Sequence, residues 1–119
     1  MVMSNSLSLR FACGTLNLVP NENDWARVNL CRAGSDETIG AEKSSYLAER
    51  LGLFLEHPSD TLQWVLTLSE THNTLYGEVT NDCIHLRIQN QQAMFFADIV
   101  ISQQDRCEWL SQLADWKSP

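Results

Sequence analysis

This sequence has little positive charge, no long apolar run and none of the common short motifs of catalysis or phosphate binding. Lys and Arg number 8 against 15 Asp and Glu, which leaves a formal net charge of −7. Affinity for a nucleic-acid backbone comes from Lys and Arg contacts to phosphates, so no nucleic-acid partner is expected. The carboxylates are scattered along the chain and form no acidic tail. Their excess favours encounter with basic partners by electrostatic steering.

No apolar stretch approaches the roughly twenty residues that span a bilayer, so no membrane partner is expected either. Residues 1–6 carry neither a charged n-region nor a long apolar core. No signal peptide is therefore read there, and the expected compartment is the cytoplasm. The four cysteines, Cys13, Cys31, Cys83 and Cys107, lie far apart and form no C-x-x-C pair. In a reducing compartment they read as free thiols in a small apolar role. A phosphate-cradling glycine loop, G-x-S-x-G and H-E-x-x-H are all missing. These absences remove the usual grounds for a nucleotide enzyme or a common hydrolase, and no cofactor is expected. Internal repeats, linkers and low-complexity stretches are missing too. A chain of 119 residues then reads as a single α+β domain over 1–119, long enough to bury roughly two-thirds of its unfolded surface.

What is present is strand periodicity, strongest over residues 62–101. Leu62, Trp64, Leu66 and Leu68 alternate with polar or smaller residues, and Leu75, Gly77 and Val79 do the same. Ile84, Leu86 and Ile88 follow, then Phe95, Ala97, Ile99 and Ile101. Such period-2 runs separated by turn residues predict a four-strand antiparallel meander. Asn81-Asp82 suits a two-residue hairpin turn with positive φ, which sets Val79 opposite Ile84 and Leu75 opposite Ile88. Four-residue loops on either side would set Trp64 opposite Val79, and Leu86 opposite Phe95. All these apolar residues then share one face, and a one-residue slip would exchange the faces of a strand.

The other face is mixed. Its expected rows are Val65, Glu78, His85 and Phe96; then Thr67, Tyr76, Arg87 and Met94; then Gln63, Thr80, Cys83 and Asp98.

Before the meander, residues 7–13 alternate as a strand and Leu16 and Leu18 continue it on the other parity, so a bulge at Gly14 is expected. Pro20–Asp24 is a turn cluster, and residues 26–31 alternate again. This N-terminal hairpin either extends the meander or forms a layer of its own. Residues 33–40 read as a loop. From about 41 to 56 the period becomes helical, with Leu47, Leu51, Phe54 and Leu55 on one face and His57-Pro58 as the stop. A second helix over about 103–116 has Ser102 as N-cap, Asp105 three residues on, and a stripe of Trp109, Leu110, Leu113 and Trp116. Trp25 is the tryptophan expected to be exposed.

The candidate binding residues all lie on the mixed face: Tyr76, Glu78, His85, Arg87, Met94 and Phe96. Aromatic, Met and Arg side chains are enriched at protein interfaces, and Tyr76 with Arg87 could stack as a cation–π pair. Glu78 beside His85 could orient an imidazole for acid–base chemistry, although no activated nucleophile accompanies them. Cys83, His85 and Asp98 are the one grouping that resembles zinc ligands, but a fourth ligand is missing and no metal site is expected.

The reading these features favour is a non-enzymatic acidic protein that binds another protein. A bacterial immunity or inhibitor protein neutralising a basic toxin or nuclease fits the size and charge. The alternatives are a nucleic-acid mimic or phage-type anti-defence protein, a small enzyme using Glu78 and His85, and a homo-oligomer subunit with no separate ligand.

Overall fold

A computed structural model describes residues 6–58 and 63–117. Leu62, placed above at the start of the meander, lies outside the described residues. The chain is α+β, built from two antiparallel four-strand sheets and two helices. The first sheet runs β1 (Leu7–Phe11), β2 (Gly14–Pro20), β3 (Trp25–Arg32) and β4 (Ser35–Lys43), and α1 (Ser44–Glu56) follows. The second runs β5 (Trp64–Thr67), β6 (Thr74–Thr80), β7 (Cys83–Gln89) and β8 (Phe95–Ile101), and α2 (Gln103–Lys117) follows. Both sheets keep sequence order.

The first sheet is larger than the expected hairpin, for two local reasons. The change of phase at Gly14 is a hairpin and not a bulge. A tight turn at Ala12-Cys13 pairs Leu9 with Leu16 and Leu7 with Leu18, and partners across a two-residue turn necessarily have opposite parity. Gly14 is required there, because a Cβ at this position would lie 2.1 Å from the Cys31 carbonyl oxygen. The segment read as a loop over 33–40, together with the first residues assigned to the helix, is β4. Gly34 takes φ +75° in the turn before it. A register shift between Val28 and Asn29 then inserts Ile39 as an extra residue, which erases the alternation. Ile39, Gly40 and Ala41 are all buried in succession.

In the second sheet the central hairpin has the expected register. Val79 faces Ile84, Leu75 faces Ile88 and Glu78 faces His85, with Asn81 and Asp82 both at positive φ. The flanking pairs are displaced. Trp64 faces Gly77 and not Val79, because residues 68–73 make a longer connection closed by the Leu68 N–H donating to the Asn73 carbonyl at 2.8 Å. Leu86 faces Ile99 and not Phe95. Even-numbered displacements preserve faces, so Leu66, Leu75, Ile84, Leu86, Ile88, Ala97, Ile99 and Ile101 are all buried as expected. Phe95 is the exception, because the register shifts between Ile88 and Gln89.

One continuous apolar core joins both sheets and both helices. α1 contributes Leu47, Ala48, Leu51, Phe54 and Leu55, and α2 contributes the fully buried Trp109 and Leu113. Ser102 caps α2 as expected, accepting the Asp105 N–H at 3.0 Å. α1 lacks a side-chain cap. The Asp24 carbonyl instead accepts the Ser44 N–H, and the Asp24 carboxylate accepts the Ser45 hydroxyl.

The halves are joined reciprocally. Ala41 of β4 bridges Ser69 just beyond β5, and β1 lies beside β8. Each helix satisfies the edge of the other half's first strand. Arg50 of α1 donates to the Val65 carbonyl on β5, and Trp109 of α2 donates to the Arg10 carbonyl on β1 at 2.7 Å. Arg106 ties the helices together by donating to the Leu55 and Glu56 carbonyls at the end of α1. With both helices engaged at these seams and with each other, the outer face of β6, β7 and β8 is left open.

Candidate functional site

That outer face is where the candidate residues meet. Strand alternation sends Tyr76 and Glu78 of β6, His85 and Arg87 of β7, and Asp98 and Val100 of β8 to the side away from the core. Two rows cross it: Val65, Tyr76, Arg87 and Asp98, and beside it Glu78, His85 and Val100.

The charged groups form one connected cluster. Arg87 Nη1 lies 2.8 Å from Glu78 Oε1, and its Nε lies 3.5 Å from Asp98 Oδ2. His85 Nδ1 sits 2.9 Å from Asp98 Oδ1. Asp98 therefore bridges the imidazole and the guanidinium. Glu78, although directly across from His85, turns to Arg87 and not to the imidazole. The expected Glu78–His85 pairing is thus replaced by His85–Asp98. Two carboxylates against one guanidinium leave the carboxylates in excess by one.

The expected Tyr76–Arg87 stack is replaced as well. Arg87 is engaged by carboxylates, and Tyr76 meets Phe95 edge-on with ring centroids 5.5 Å apart. The Tyr76 hydroxyl donates to Gln89 Oε1 at 3.1 Å. By its phase Phe95 is expected in the core. The bulge makes Phe96 the extra residue on β8, so Phe95 is 52% exposed on the outer face while Phe96 packs against the core cluster. Of the candidates, Tyr76, Glu78, His85 and Arg87 come together. Met94 lies at the margin, 64% exposed. Phe96 is half-buried, packed against the core and also lining a shallow depression at the surface, and Phe95 is the aromatic that the alternation did not bring to this face. A Gln- and Asn-rich loop before two adjacent phenylalanines is the only sequence signal for such a slip.

Val65 and Val100 are exposed too, so apolar side chains flank the charged cluster on both sides. At one end, Arg32, Arg87, Phe95, Phe96, Ala97 and Asp98 line a shallow open depression of about 410 Å³. Cys83 is exposed and faces Thr80 across the hairpin, whereas Asp98 faces Arg87. The expected Cys83–Asp98 juxtaposition is therefore not formed. Among the described residues no three His, Cys, Asp or Glu side chains converge as metal ligands, and no helix is long and apolar enough to cross a membrane.

Comparison with protein-family models, with curated proteins and with solved structures found no match.

Proposed function

We propose that this chain is a non-enzymatic acidic binding protein that docks onto another protein, in the manner of an immunity or inhibitor protein opposing a basic toxin or nuclease. The observation that carries the reading is the composition of the open outer face of the second sheet. Tyr76 and Phe95 stand beside Arg87, whose charge is already balanced by Glu78 and Asp98, and Met94 is exposed at the margin. Aromatic and Arg side chains set in a polar surround are the composition of binding hot spots. A charge cluster ion-paired before the partner arrives has its side chains already positioned, which lowers the ordering cost of association. The net charge of −7 supplies the steering toward a basic partner.

Capture from the native cell tests this reading, with wild-type protein and an Arg87→Ala/Phe95→Ala double variant immobilised in parallel. A basic protein retained by the wild type and lost from the variant, with affinity falling as salt rises, is the expected result. Equal retention on both columns, or affinity indifferent to salt, would refute it.

A further inference from the structure

A second group of polar side chains lies outside this face, on the flank where α1 meets β5. The Arg50 guanidinium stands over two rings, with its carbon 5.6 Å from the centre of Tyr46 and 5.3 Å from that of Trp64. Its Nη1 donates to the Tyr46 hydroxyl at 2.8 Å, and its Nη2 donates to the Val65 carbonyl at 2.9 Å. These four contacts hold the planar group in one orientation.

Arg50 differs from Arg32, Arg87 and Arg106 in what satisfies it. Arg32 pairs with Glu37, Arg87 with Glu78 and Asp98, and Arg106 with the carbonyls that end α1. No carboxylate among the described residues pairs with Arg50. A guanidinium has five N–H donors, and the two bonds above leave three without an acceptor among the described residues. Tyr46 accepts from Arg50, so its own O–H is free to donate. The indole N–H of Trp64 is buried without an acceptor. Among the described residues, Arg50 and Tyr46 therefore offer an excess of donors around a fixed positive charge, in a chain that is otherwise strongly acidic; the sealed Trp64 indole N–H lies beneath them as a reporter and not as a ligand contact. Apolar surface borders this locus on two sides. Leu53, one turn along α1 from Arg50, is 52% exposed, and Tyr46 and Val65 are exposed beside it.

We infer that this flank is a second binding site, which takes the carboxylate of an Asp or Glu side chain within a partner segment that has apolar neighbours. A planar carboxylate can accept two parallel N–H bonds from a guanidinium fork, and stacking on aromatic rings presents that fork already oriented. The apolar borders select a segment over a bare anion, since Leu53 and Val65 offer contact to residues on either side of the acid. Only Val65 is shared with the sheet face, so the two sites stand or fall separately.

The test uses the full chain, labelled with nitrogen-15, and three probes: the blocked tripeptide Leu-Glu-Leu, its Leu-Gln-Leu counterpart, and acetate. The Arg50 Nε–H and Trp64 indole N–H resonances should shift saturably with the Glu peptide in the millimolar range. The Gln peptide and acetate should bind about tenfold more weakly or worse. Arg50→Lys keeps the charge but loses the planar fork, and should weaken the Glu peptide by about tenfold while amide shifts outside the neighbourhood of Tyr46, Trp64 and Val65 stay in place. Equal shifts from the Glu and Gln peptides, acetate binding as tightly as the Glu peptide, or no saturation at these two resonances would each overturn the inference. Should Arg50→Lys fail to fold, the comparison of probes on the wild type decides alone.

Discussion

Gly77→Ala gives a sharp test of how α1 docks on the second sheet. Gly77 sits mid-strand in β6 and its backbone lies outside the positive-φ region, so alanine is allowed by the backbone. On that ground alone the substitution should stabilise by roughly 0.5–1 kcal/mol, because glycine is the poorer strand residue. The space above it argues the opposite. A Cβ at this position would lie 2.6, 2.7 and 2.9 Å from three ring atoms of Phe54, where ordinary contact begins near 3.4 Å. The ring would have to retreat by several tenths of an ångström. It is buried and stacked on Trp64 at 5.4 Å, so its retreat disturbs a second aromatic. Overpacking of this kind costs about 1–3 kcal/mol, which outweighs the backbone gain. Urea denaturation should show a net loss of about 1–2 kcal/mol at unchanged m-value. Combining Gly77→Ala with Phe54→Leu should recover part of that loss as a coupling energy of about 1 kcal/mol. A neutral or stabilising Gly77→Ala would mean that Phe54 does not lie over Gly77, and the packing of α1 described above would be wrong.

Other consequences follow from burial and from one thiol. Leu86→Ala and Leu113→Ala should each cost about 2–5 kcal/mol in denaturant melts, since both side chains are enclosed in the shared core; losses under about 1 kcal/mol for both would place them on the wrong faces. Cys31 donates to Asp36 Oδ1 at 3.2 Å, and this hydrogen bond, with desolvation and the carboxylate's charge adding to it, raises the thiol pKa. The thiolate is the reactive form, so at mildly alkaline pH Cys31 should label more slowly than the exposed Cys13, Cys83 and Cys107. Asp36→Asn should remove most of the difference, and four equal labelling rates would contradict it. A raised native pKa also fixes a sign: the stabilising contribution of this thiol is full below its unfolded pKa and is lost as pH rises through the native value.

The legible part of the fold was the part in which one signal determined one geometry. Asn81-Asp82 specified a tight turn, and the alternation on either side then fixed the register of β6 with β7. The helical stripes of Leu47, Leu51, Phe54 and Leu55, and of Trp109 and Leu113, were equally direct. What the pattern concealed were the irregularities. Ala12-Cys13 turns without Gly or Asn and without positive φ, so only the change of parity marked it, and a bulge explains parity equally well. β4 carries Ile39 as an extra residue, which breaks the period by which strands are recognised. The same irregularity in β8 exchanged Phe95 and Phe96 and moved the aromatic edge of the candidate site by one residue. The partners of Glu78 and Asp98 were hidden for another reason: strand register gives neighbours, whereas the choice between His85 and Arg87 depends on side-chain rotamers.

The measurement that most directly tests the outer face as a docking surface is a matched pair of substitutions at the bulge, read for both stability and partner affinity. Phe95→Ala should weaken binding to the captured partner by about 1–3 kcal/mol and leave the melting temperature nearly unchanged, because its ring stands in solvent against Tyr76. Phe96→Ala should do the reverse, lowering the melting temperature while changing the affinity of the folded protein little, because its ring packs on the core. If Phe95→Ala instead lowers stability and leaves affinity intact, the face is not the docking surface and the central claim fails.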